Sequence, residues 1–387
     1  MGRHSKKRRV MRHNPAFKKS LVWGILIAAA VPGVLSTTVL YDHVRQSWDG
    51  LAADTAVLSA MYTVPDRAFE QLRERFAQPS DPQQPEQEQE KAQQPLIPPQ
   101  RQEEQPPPTK TQPPPEPVEI PEEYRGTVVE EDLAAAGSSL CFGSGRIKNA
   151  TSLSEQQVEE YLAQPQPFLL DRQGPQVLIM HTHATESFEP YDSEIYDTRH
   201  TWRSTDNSEN IVAAGEVMAQ AIRSHGIEVL HDDTQHDYPS YNGSYERSAE
   251  TVKEYLAKYP SIKVVLDVHR DAVQRDSTLV KPVTQINGKK AAQMMIIAGC
   301  DDGTMEMPNW GKNLRFAAGI QDAIESRWKG LTRPVFFCYR KYNQDLTTGS
   351  LLLELGSHGN TLEQVLTTAQ LAGDAIGNYL AQECMAE

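Results

Sequence analysis

Histidine and glutamate side chains follow three largely apolar runs of the sequence, at 177–180, 264–268 and 351–353. Such runs are typical of buried strands, and α/β proteins build their sites at the carboxyl ends of these strands. A catalytic zinc needs three nitrogen or oxygen ligands, an open position for water and a carboxylate to take the proton of that water. The residues that could supply these groups are His181, His183 and Glu186 after the first run, His269 after the second and Glu354 after the third. The sequence therefore predicts a zinc centre where the three strand ends meet.

The first run is followed by two histidines, and the sequence leaves open which one binds the metal. His181 continues the strand, whereas His183 is closer to Glu186 and forms with it the His-x-x-Glu spacing of some zinc peptidases. Both are expected on one face of the extended chain, because side chains alternate with period two. We expect one to be a ligand and the other to contact that ligand or the substrate.

Glu354 lies in the run LLLELG, where a carboxylate needs a partner because an unpaired buried charge is costly. A metal ion or its bound water would supply that partner, with Glu354 as the general base that takes the water's proton. An ion pair with an arginine such as Arg270 is the structural alternative. Asp267 or Asp271 could orient His269 through its second ring nitrogen.

The polar loop at 198–210 and the residue after His269 add candidate substrate-binding groups. These are Arg203, Asn207, Asn210 and Arg270. A guanidinium fork such as that of Arg203 suits a carboxylate of a peptide substrate, although the loop could equally serve only to cap and turn the chain. The segment 238–243 is a turn by its Pro and Asn-Gly content, and its tyrosines could line a groove for a glycan.

The elements that must position these residues alternate between strands and helices. Strands are predicted at 177–181, 227–231, 262–268, 294–298, 335–338 and 351–355, and helices at 209–224, 245–258, 310–328 and 362–380. This alternation predicts an α/β domain over residues 123–387, with a mainly parallel sheet and helices on both faces. Neither a Gly-x-Ser-x-Gly motif nor a Gly-rich loop with Lys-Ser/Thr occurs, so serine hydrolysis and phosphate binding have no support.

The chain before this domain predicts a membrane anchor and a spacer. Residues 1–20 hold eight Lys or Arg and no acid, and residues 21–40 hold no charge. Twenty apolar residues at ~1.5 Å each span a ~30 Å hydrocarbon core, and the basic flank keeps the amino terminus cytoplasmic. A cleaved signal peptide is the alternative. Residues 41–78 are predicted to form juxtamembrane amphipathic helices, and residues 79–122, with 14 of the 26 prolines, a disordered extended linker.

The charge balance argues against nucleic acid as a partner. The formal net charge is −14, and eight of the 38 basic residues lie in the predicted cytoplasmic tail, so the remainder is still more acidic. The cysteines are too few for a disulfide scaffold and form no Cys-x-x-Cys pair; they are Cys141, Cys300, Cys338 and Cys384. Their pairing cannot be deduced from the sequence.

Five segments resemble, in the same order, the stage II sporulation protein P family of endospore formers. They are HTHATESF, RSTDNSENIVAAGEV, HDDTQHDYPSYNGSYERSAETV, YPSIKVVLDVHRDA and LLLELGSHGNT. The resemblance spans about Gln176 to Gln382. It places the metal-binding pattern of the family on the HTHATES segment and His269, and the catalytic acid on Glu354.

The resemblance implies a membrane-anchored, zinc-dependent N-acetylmuramoyl-L-alanine amidase with an amidase-like fold and additional peptidoglycan endopeptidase activity. Stem peptides and glycan strands outside the cell membrane would be its substrates. It also implies a role in engulfment during endospore formation, beside stage II sporulation proteins D and M. A noncatalytic anchored scaffold that binds the wall and recruits a hydrolase is the alternative, but a scaffold would not need Glu186, His269 and Glu354 together.

Overall fold

The computed structural model describes residues 119–138 and 140–386. The predicted cytoplasmic tail, membrane anchor and juxtamembrane helices, and the predicted linker up to residue 118, lie outside these residues. Within the described ranges, no helix has both the length and the apolar character needed to cross a membrane. The described chain begins just before a short 3-10 turn at Glu122–Tyr124 and covers the predicted catalytic domain.

Eight of the described strands form a central sheet. Their bounds are β2 Leu140–Phe142, β3 Gly145–Asn149, β4 Val177–Met180, β6 Val229–His231, β7 Val264–Asp271, β11 Met294–Gly299, β12 Val335–Cys338 and β13 Gly349–Ser357. The spatial order is β2-β3-β12-β11-β13-β7-β4-β6. Strands β4, β7, β11 and β13 are buried along their whole length, as expected for the apolar runs that form them.

A second, smaller sheet lies outside the predicted elements. It contains β1 Arg125–Glu131, β5 Ile195–Asp197, β9 Thr278–Ile286 and β10 Lys289–Ala292 in the order β10-β9-β1-β5, and β8 Gln274–Arg275 pairs with β9. The hairpin between β9 and β10 turns at Asn287-Gly288, where both residues have positive φ. An Asn-Gly pair with this conformation is typical of a two-residue hairpin turn.

The sheets are mixed, so the prediction of a mainly parallel sheet is wrong. Among the described strands, six of the eleven pairings are parallel and five are antiparallel. The parallel pairs around β4, β7 and β12 follow helical crossovers. The hairpins β2–β3 and β9–β10 have links too short for a crossover and therefore reverse the chain. Strand β11 follows β10 after a single residue and runs antiparallel to β13.

Helices lie on both faces of the central sheet, as predicted. They are α1 Glu155–Leu162, α2 Ile211–Arg223, α3 Ser244–Lys258, α4 Trp310–Arg327 and α5 Leu362–Glu383. The main core joins α1, α2, α4 and α5 to one face of the sheet. On the other face, Val252 of α3 packs against Leu178, Met180 and Val265.

The predicted elements occur within three residues of their expected ends. Helix α2 begins after Asn210, whose side chain accepts a hydrogen bond from the backbone N–H of Val212 at 2.9 Å. Helix α5 begins with a capping box in which Thr361 and Gln364 satisfy each other's backbone N–H groups. These caps fix the amino-terminal ends of α2 and α5.

Candidate metal centre

The register of β7 and β13 brings His269 and Glu354 side by side. The two residues are direct partners in this parallel pair, so their side chains point to the same face of the sheet. Strand β4 pairs with the other edge of β7, and the chain turns immediately after Met180. This turn carries His183 and Glu186 toward the end of β7.

Glu186 is a buried carboxylate held by several donors. Its Oε2 accepts a hydrogen bond from the backbone N–H of Arg270 at 3.0 Å, and its Oε1 lies 3.8 Å from the guanidinium of Arg203. The Nδ1 atom of His269 lies 3.6 Å from Oε2. Although burial opposes ionisation, Arg270 and His269 hold the pKa of Glu186 far below its ordinary value. The residue therefore presents an ionised carboxylate inside the protein.

His269 lies between two carboxylates. Its Nε2 atom is 2.8 Å from Oδ1 of Asp267, although the two groups lack the direction of a hydrogen bond, and its Nδ1 atom faces Glu186. Burial opposes the charged ring, but Asp267 and Glu186 raise the pKa of His269 well above its ordinary value. The sequence had offered Asp267 and Asp271 as alternatives for orienting this ring. The structure puts Asp267 beside it, whereas Asp271 pairs with Arg333 at 2.6 Å.

His183 is fully buried with one ring nitrogen unused. Its Nδ1 atom lies 3.4 Å from the hydroxyl of Ser244, and its Nε2 atom has no hydrogen-bond partner. The ring stacks on Tyr241 with centroids 4.5 Å apart and stands at right angles to the ring of His269, 5.2 Å away. Burial lowers the pKa of His183 to about 3, so the ring is neutral and can offer a lone pair.

Glu354 is buried with its Oε2 atom lacking a hydrogen-bond partner. Burial and the nearby charge of Asp271 raise its pKa well above the ordinary value. The ion pair with Arg270, the structural alternative for Glu354, does not form. The guanidinium of Arg270 instead donates to the backbone carbonyls of Ser187, Asp271 and Trp202. Arg270 therefore fixes the chain around Glu186, and its role in substrate binding stays a prediction.

The buried polar atoms without hydrogen-bond partners at this centre fit the binding of a metal ion. Buried polar atoms in native proteins nearly always have a hydrogen-bond partner, so each exception needs an explanation. Four of the nine such side-chain atoms among the described residues belong to His183, His269 and Glu354. Two zinc ligands at ~2.0–2.1 Å and a tetrahedral angle would be about 3.3 Å apart, close to the 3.6 Å between Nδ1 of His269 and Glu186.

The side chains of the candidate ligands do not converge as a ready-made metal site. Within residues 119–138 and 140–386, no three His, Cys, Asp or Glu side chains form a ligand group as they stand. Simultaneous binding by His183, Glu186 and His269 would therefore require side-chain adjustment.

The expectation that His181 and His183 share one face is wrong. The extended conformation ends at Met180, and the turn at 182–185 rotates the following side chains. His181 points to the opposite face, where its Nδ1 atom donates to the carbonyl of Val268 at 2.8 Å and its Nε2 atom shares a hydrogen bond with Nε2 of His231 at 2.9 Å. Both ring nitrogens are used, and the structure does not bring His181 to the other candidate ligands.

In the loop before α2, one candidate substrate-binding residue lies near the metal centre. The other two make hydrogen bonds that fix the loop. The guanidinium of Arg203 lies 2.9 Å from Oδ2 of Asp237 and over the ring of Tyr241, beside Glu186. Asn210 is the buried cap of α2. The amide of Asn207 contacts the amide of Asn210 and the carbonyl of Asp233. Asn210 thus caps the helix and Asn207 holds the loop beside it, and the substrate-binding role of both stays a prediction.

Tyrosines form the remaining wall of the centre, and the sequence had identified them only in part. The turn with the Asn-Gly pair contributes Tyr241, which the sequence had linked to a glycan groove. Its ring lies between His183 and Arg203, and its part in a glycan groove stays a prediction. Tyr245, in the first turn of α3, packs edge-on against His183 with centroids 5.5 Å apart. Nothing in its sequence position marked it, because a tyrosine in an amphipathic helix usually packs in a core.

Comparison with known proteins identifies the family of the chain. The sequence model of the family "Stage II sporulation protein P (SpoIIP)" matches residues 57–377. The chain belongs to this family. A relative, stage II sporulation protein P of Bacillus subtilis (strain 168), is 28% identical over 244 residues, which cover 59% of this chain and 57% of the relative. The match thus spans little more than half the length of that protein.

Two solved structures have a similar arrangement over part of the chain. The N-acetylmuramyl-L-alanine amidase Ami1 of Mycobacterium abscessus, in its apo form, has 13% identity and a TM-score of 0.31, covering 53% of this chain and 98% of its own. The CwlD amidase of Clostridioides difficile, in complex with the GerS lipoprotein, has 13% identity and a TM-score of 0.31, with 53% and 95% covered.

Proposed function

We propose that this member of the stage II sporulation protein P family is a zinc-dependent peptidoglycan hydrolase. It would cleave the amide between the lactyl group of the glycan and the first alanine of the stem peptide, as an N-acetylmuramoyl-L-alanine amidase. The observation that carries the proposal is the group of buried, unpartnered atoms on His183, His269 and Glu354 beside the ionised Glu186. A noncatalytic scaffold has no use for such groups, each of which is costly to bury.

The proposed ligands are His183, Glu186 and His269. Neutral His183 would bind through its unused Nε2 atom, Glu186 through its carboxylate, and His269 through Nδ1, the ring nitrogen that faces Glu186. Asp267, 2.8 Å from Nε2 of His269, would orient this ring from behind, as carboxylates commonly do for zinc-binding histidines. Three nitrogen and oxygen ligands leave one coordination position for water or substrate.

Glu354 would transfer the proton in the reaction. When bound, zinc supplies Lewis acidity, lowering the pKa of a bound water toward ~7 and polarising the scissile carbonyl. Glu354 would accept the proton of the attacking water and pass it to the leaving nitrogen of the stem peptide.

The wider biological role is also part of the proposal. The basic residues 1–20 and the uncharged residues 21–40 would anchor the chain in the cell membrane, with the catalytic domain outside. Residues 79–122 would let the domain reach the wall. Family membership supports a role in sporulation. We further propose that the protein acts during engulfment, with stage II sporulation proteins D and M as partners and with endopeptidase activity on the stem peptides.

The test combines metal analysis with digestion of purified peptidoglycan by the full-length protein in detergent. We expect one zinc per chain, release of free amino groups from the wall, and loss of this activity after chelation. Replacing Glu354 by Gln removes the base and keeps the size of the side chain, so zinc should remain while turnover falls by ~10² or more. Equal digestion before and after complete metal removal would contradict the zinc mechanism. Wall binding without any cleavage would favour the scaffold.

A further inference from the structure

The hydroxyl of Tyr245 is buried at the candidate metal centre without a hydrogen-bond partner. The residue as a whole is partly exposed, in the first turn of α3, but its oxygen has no solvent contact. Tyrosines usually bury the ring and keep the hydroxyl in water or on a protein partner. The reverse arrangement indicates that the buried hydroxyl contacts something that binds there.

Tyr245 is held firmly in this position. Its ring stands edge-on to His183 at 5.5 Å and lies nearly parallel to the ring of Tyr342 at 5.4 Å. Its backbone carbonyl accepts a hydrogen bond from the side chain of Asn343 at 2.8 Å. Ring contacts on two sides and a fixed backbone leave the hydroxyl little freedom to reach another protein group.

At physiological pH this hydroxyl is a hydrogen-bond donor. A phenol carries one O–H donor and has an ordinary pKa of about 10. The phenol therefore keeps its proton throughout the physiological range. Glu354, the strand partner of His269, likewise has a buried oxygen without a hydrogen-bond partner, so an unpartnered donor lies beside the proposed ligand His183 and an unpartnered acceptor beside the proposed ligand His269. A substrate amide has a matching pair of atoms, since its oxygen accepts and its nitrogen takes up a proton when it leaves.

We propose that Tyr245 is a further catalytic residue of this centre, whose hydroxyl donates a hydrogen bond to the scissile carbonyl oxygen as that oxygen becomes negatively charged. This inference rests on the proposed function. A fixed donor aimed at developing charge in a site without bulk water stabilises the transition state more than the bound substrate, so its effect falls on kcat rather than on KM. No covalent bond to Tyr245 forms, and its proton stays on the phenol.

The experiment compares full-length Tyr245→Phe with wild type and with Tyr342→Phe as a matched control. Both variants remove one hydroxyl and keep the ring, and the two rings stack on each other. The measurements are zinc content, kcat and KM on muramyl-peptide fragments, and calorimetric affinity for a phosphinate analogue in which tetrahedral phosphorus replaces the scissile carbonyl carbon. The phosphinate oxygens probe the donor without any turnover.

We expect Tyr245→Phe to keep its zinc and its KM within about twofold, while kcat and phosphinate affinity fall together by roughly 10–10³-fold. Tyr342→Phe should stay within about threefold of wild type in every measurement. Unchanged kcat and phosphinate affinity in Tyr245→Phe would overturn the inference and leave the proposed hydrolase intact. Loss of zinc would also overturn it, because Tyr245 would then act by positioning His183. A wild-type protein without zinc or cleavage would overturn both proposals.

Discussion

The two faces of the central sheet carry histidines in opposite states of hydrogen bonding. On the face toward α2, His181 donates to the carbonyl of Val268 and shares a hydrogen bond with His231, whose Nδ1 atom lies 2.9 Å from a carboxylate oxygen of Glu216. On the other face, His183 Nε2 and both ring nitrogens of His269 are buried without hydrogen-bond partners. The same residue types thus form a completed chain on one side and an incomplete cluster on the other.

The difference separates a structural role from a ligand-binding one. Each ring nitrogen of His181 and His231 has a hydrogen-bond partner within the protein, so this chain contributes to stability without a ligand. The cluster of His183, His269 and Glu354 contains groups that are costly to leave unpaired, and a bound ion with its water would satisfy them. The lack of hydrogen-bond partners, and not the presence of histidines, therefore distinguishes the proposed metal centre.

Replacing each histidine of the pair by Ala gives the largest expected contrast. His183→Ala removes a proposed ligand, so zinc affinity should fall by more than the ~10–100-fold typical of losing an outer hydrogen-bond partner, and wall digestion should cease. His181→Ala should keep one zinc per chain but lower the free energy of unfolding by about 2–5 kcal/mol, because it leaves a cavity and unpaired groups.

The measurements are zinc content by atomic absorption and stability by urea unfolding, on the same preparations. If His181→Ala lost its zinc and His183→Ala kept it, His181 would be the zinc ligand and His183 the structural residue. Chelator-treated samples of both variants control for the contribution of bound metal to stability.

The strand ends could be predicted from the sequence, but the facing of the two histidines could not. Long apolar runs fix β4, β7 and β13 because only buried strands tolerate them, and polar residues that follow such runs are placed at one edge of the sheet. The face of the sheet to which the His183 side chain points depends on where the extended conformation ends. The turn at 182–185 is held by tertiary contacts, such as the hydrogen bonds from Thr182 to Asp267 and from Thr185 to Asp237. No local pattern reports such contacts.

The smaller sheet was missed for a related reason. Strand β1 pairs with β9, about 150 residues later in the chain, and both mix polar and apolar residues, so neither has a strong local signal. The hairpin from β9 to β10 did carry one, the Asn287-Gly288 pair between short β-compatible segments. Reading that turn would have predicted an antiparallel hairpin and weakened the expectation of a mainly parallel sheet.

A methyl group added at Gly215 tests how closely the completed histidine chain is packed. A Cβ at this position in α2 would lie 2.5 Å from Nε2 of His181 and 2.7 Å from Nε2 of His231, closer than side chains tolerate. Gly to Ala in a helix interior normally gains roughly 0.5–1 kcal/mol. We expect Gly215→Ala instead to lower the free energy of unfolding by about 1–3 kcal/mol, through forced displacement of the two rings.

The control is the same substitution in the His181→Ala background. There the cavity left by the His181 ring lets His231 move away from the added methyl group, so Gly215→Ala should become less destabilising or neutral in a double-mutant cycle measured by urea unfolding. Zinc content should stay at one per chain in each variant. A destabilisation of equal size in both backgrounds would show that the helix itself, and not the histidine chain, resists the change.

The smallest effect is expected for a buried carboxyl near the metal centre that belongs to neither histidine group. Glu189 follows Glu186 by three residues, but burial raises its pKa to about 7, against the hydrogen bond from the indole N–H of Trp202. Its pKa in the unfolded chain is lower, so the unfolded state ionises first as pH rises and wild type loses stability between about pH 4.5 and pH 7. Gln keeps an acceptor for Trp202 and cannot ionise. Glu189→Gln should therefore match wild type near pH 4.5 and exceed its free energy of unfolding by about 1–3 kcal/mol at pH 8.

Urea unfolding across this range checks the sign, with the exposed Glu159→Gln on α1 as a control that should show no such trend. A gain for Glu189→Gln that is largest at pH 4.5 would mean that the carboxylate, not the neutral acid, is the form that the fold stabilises.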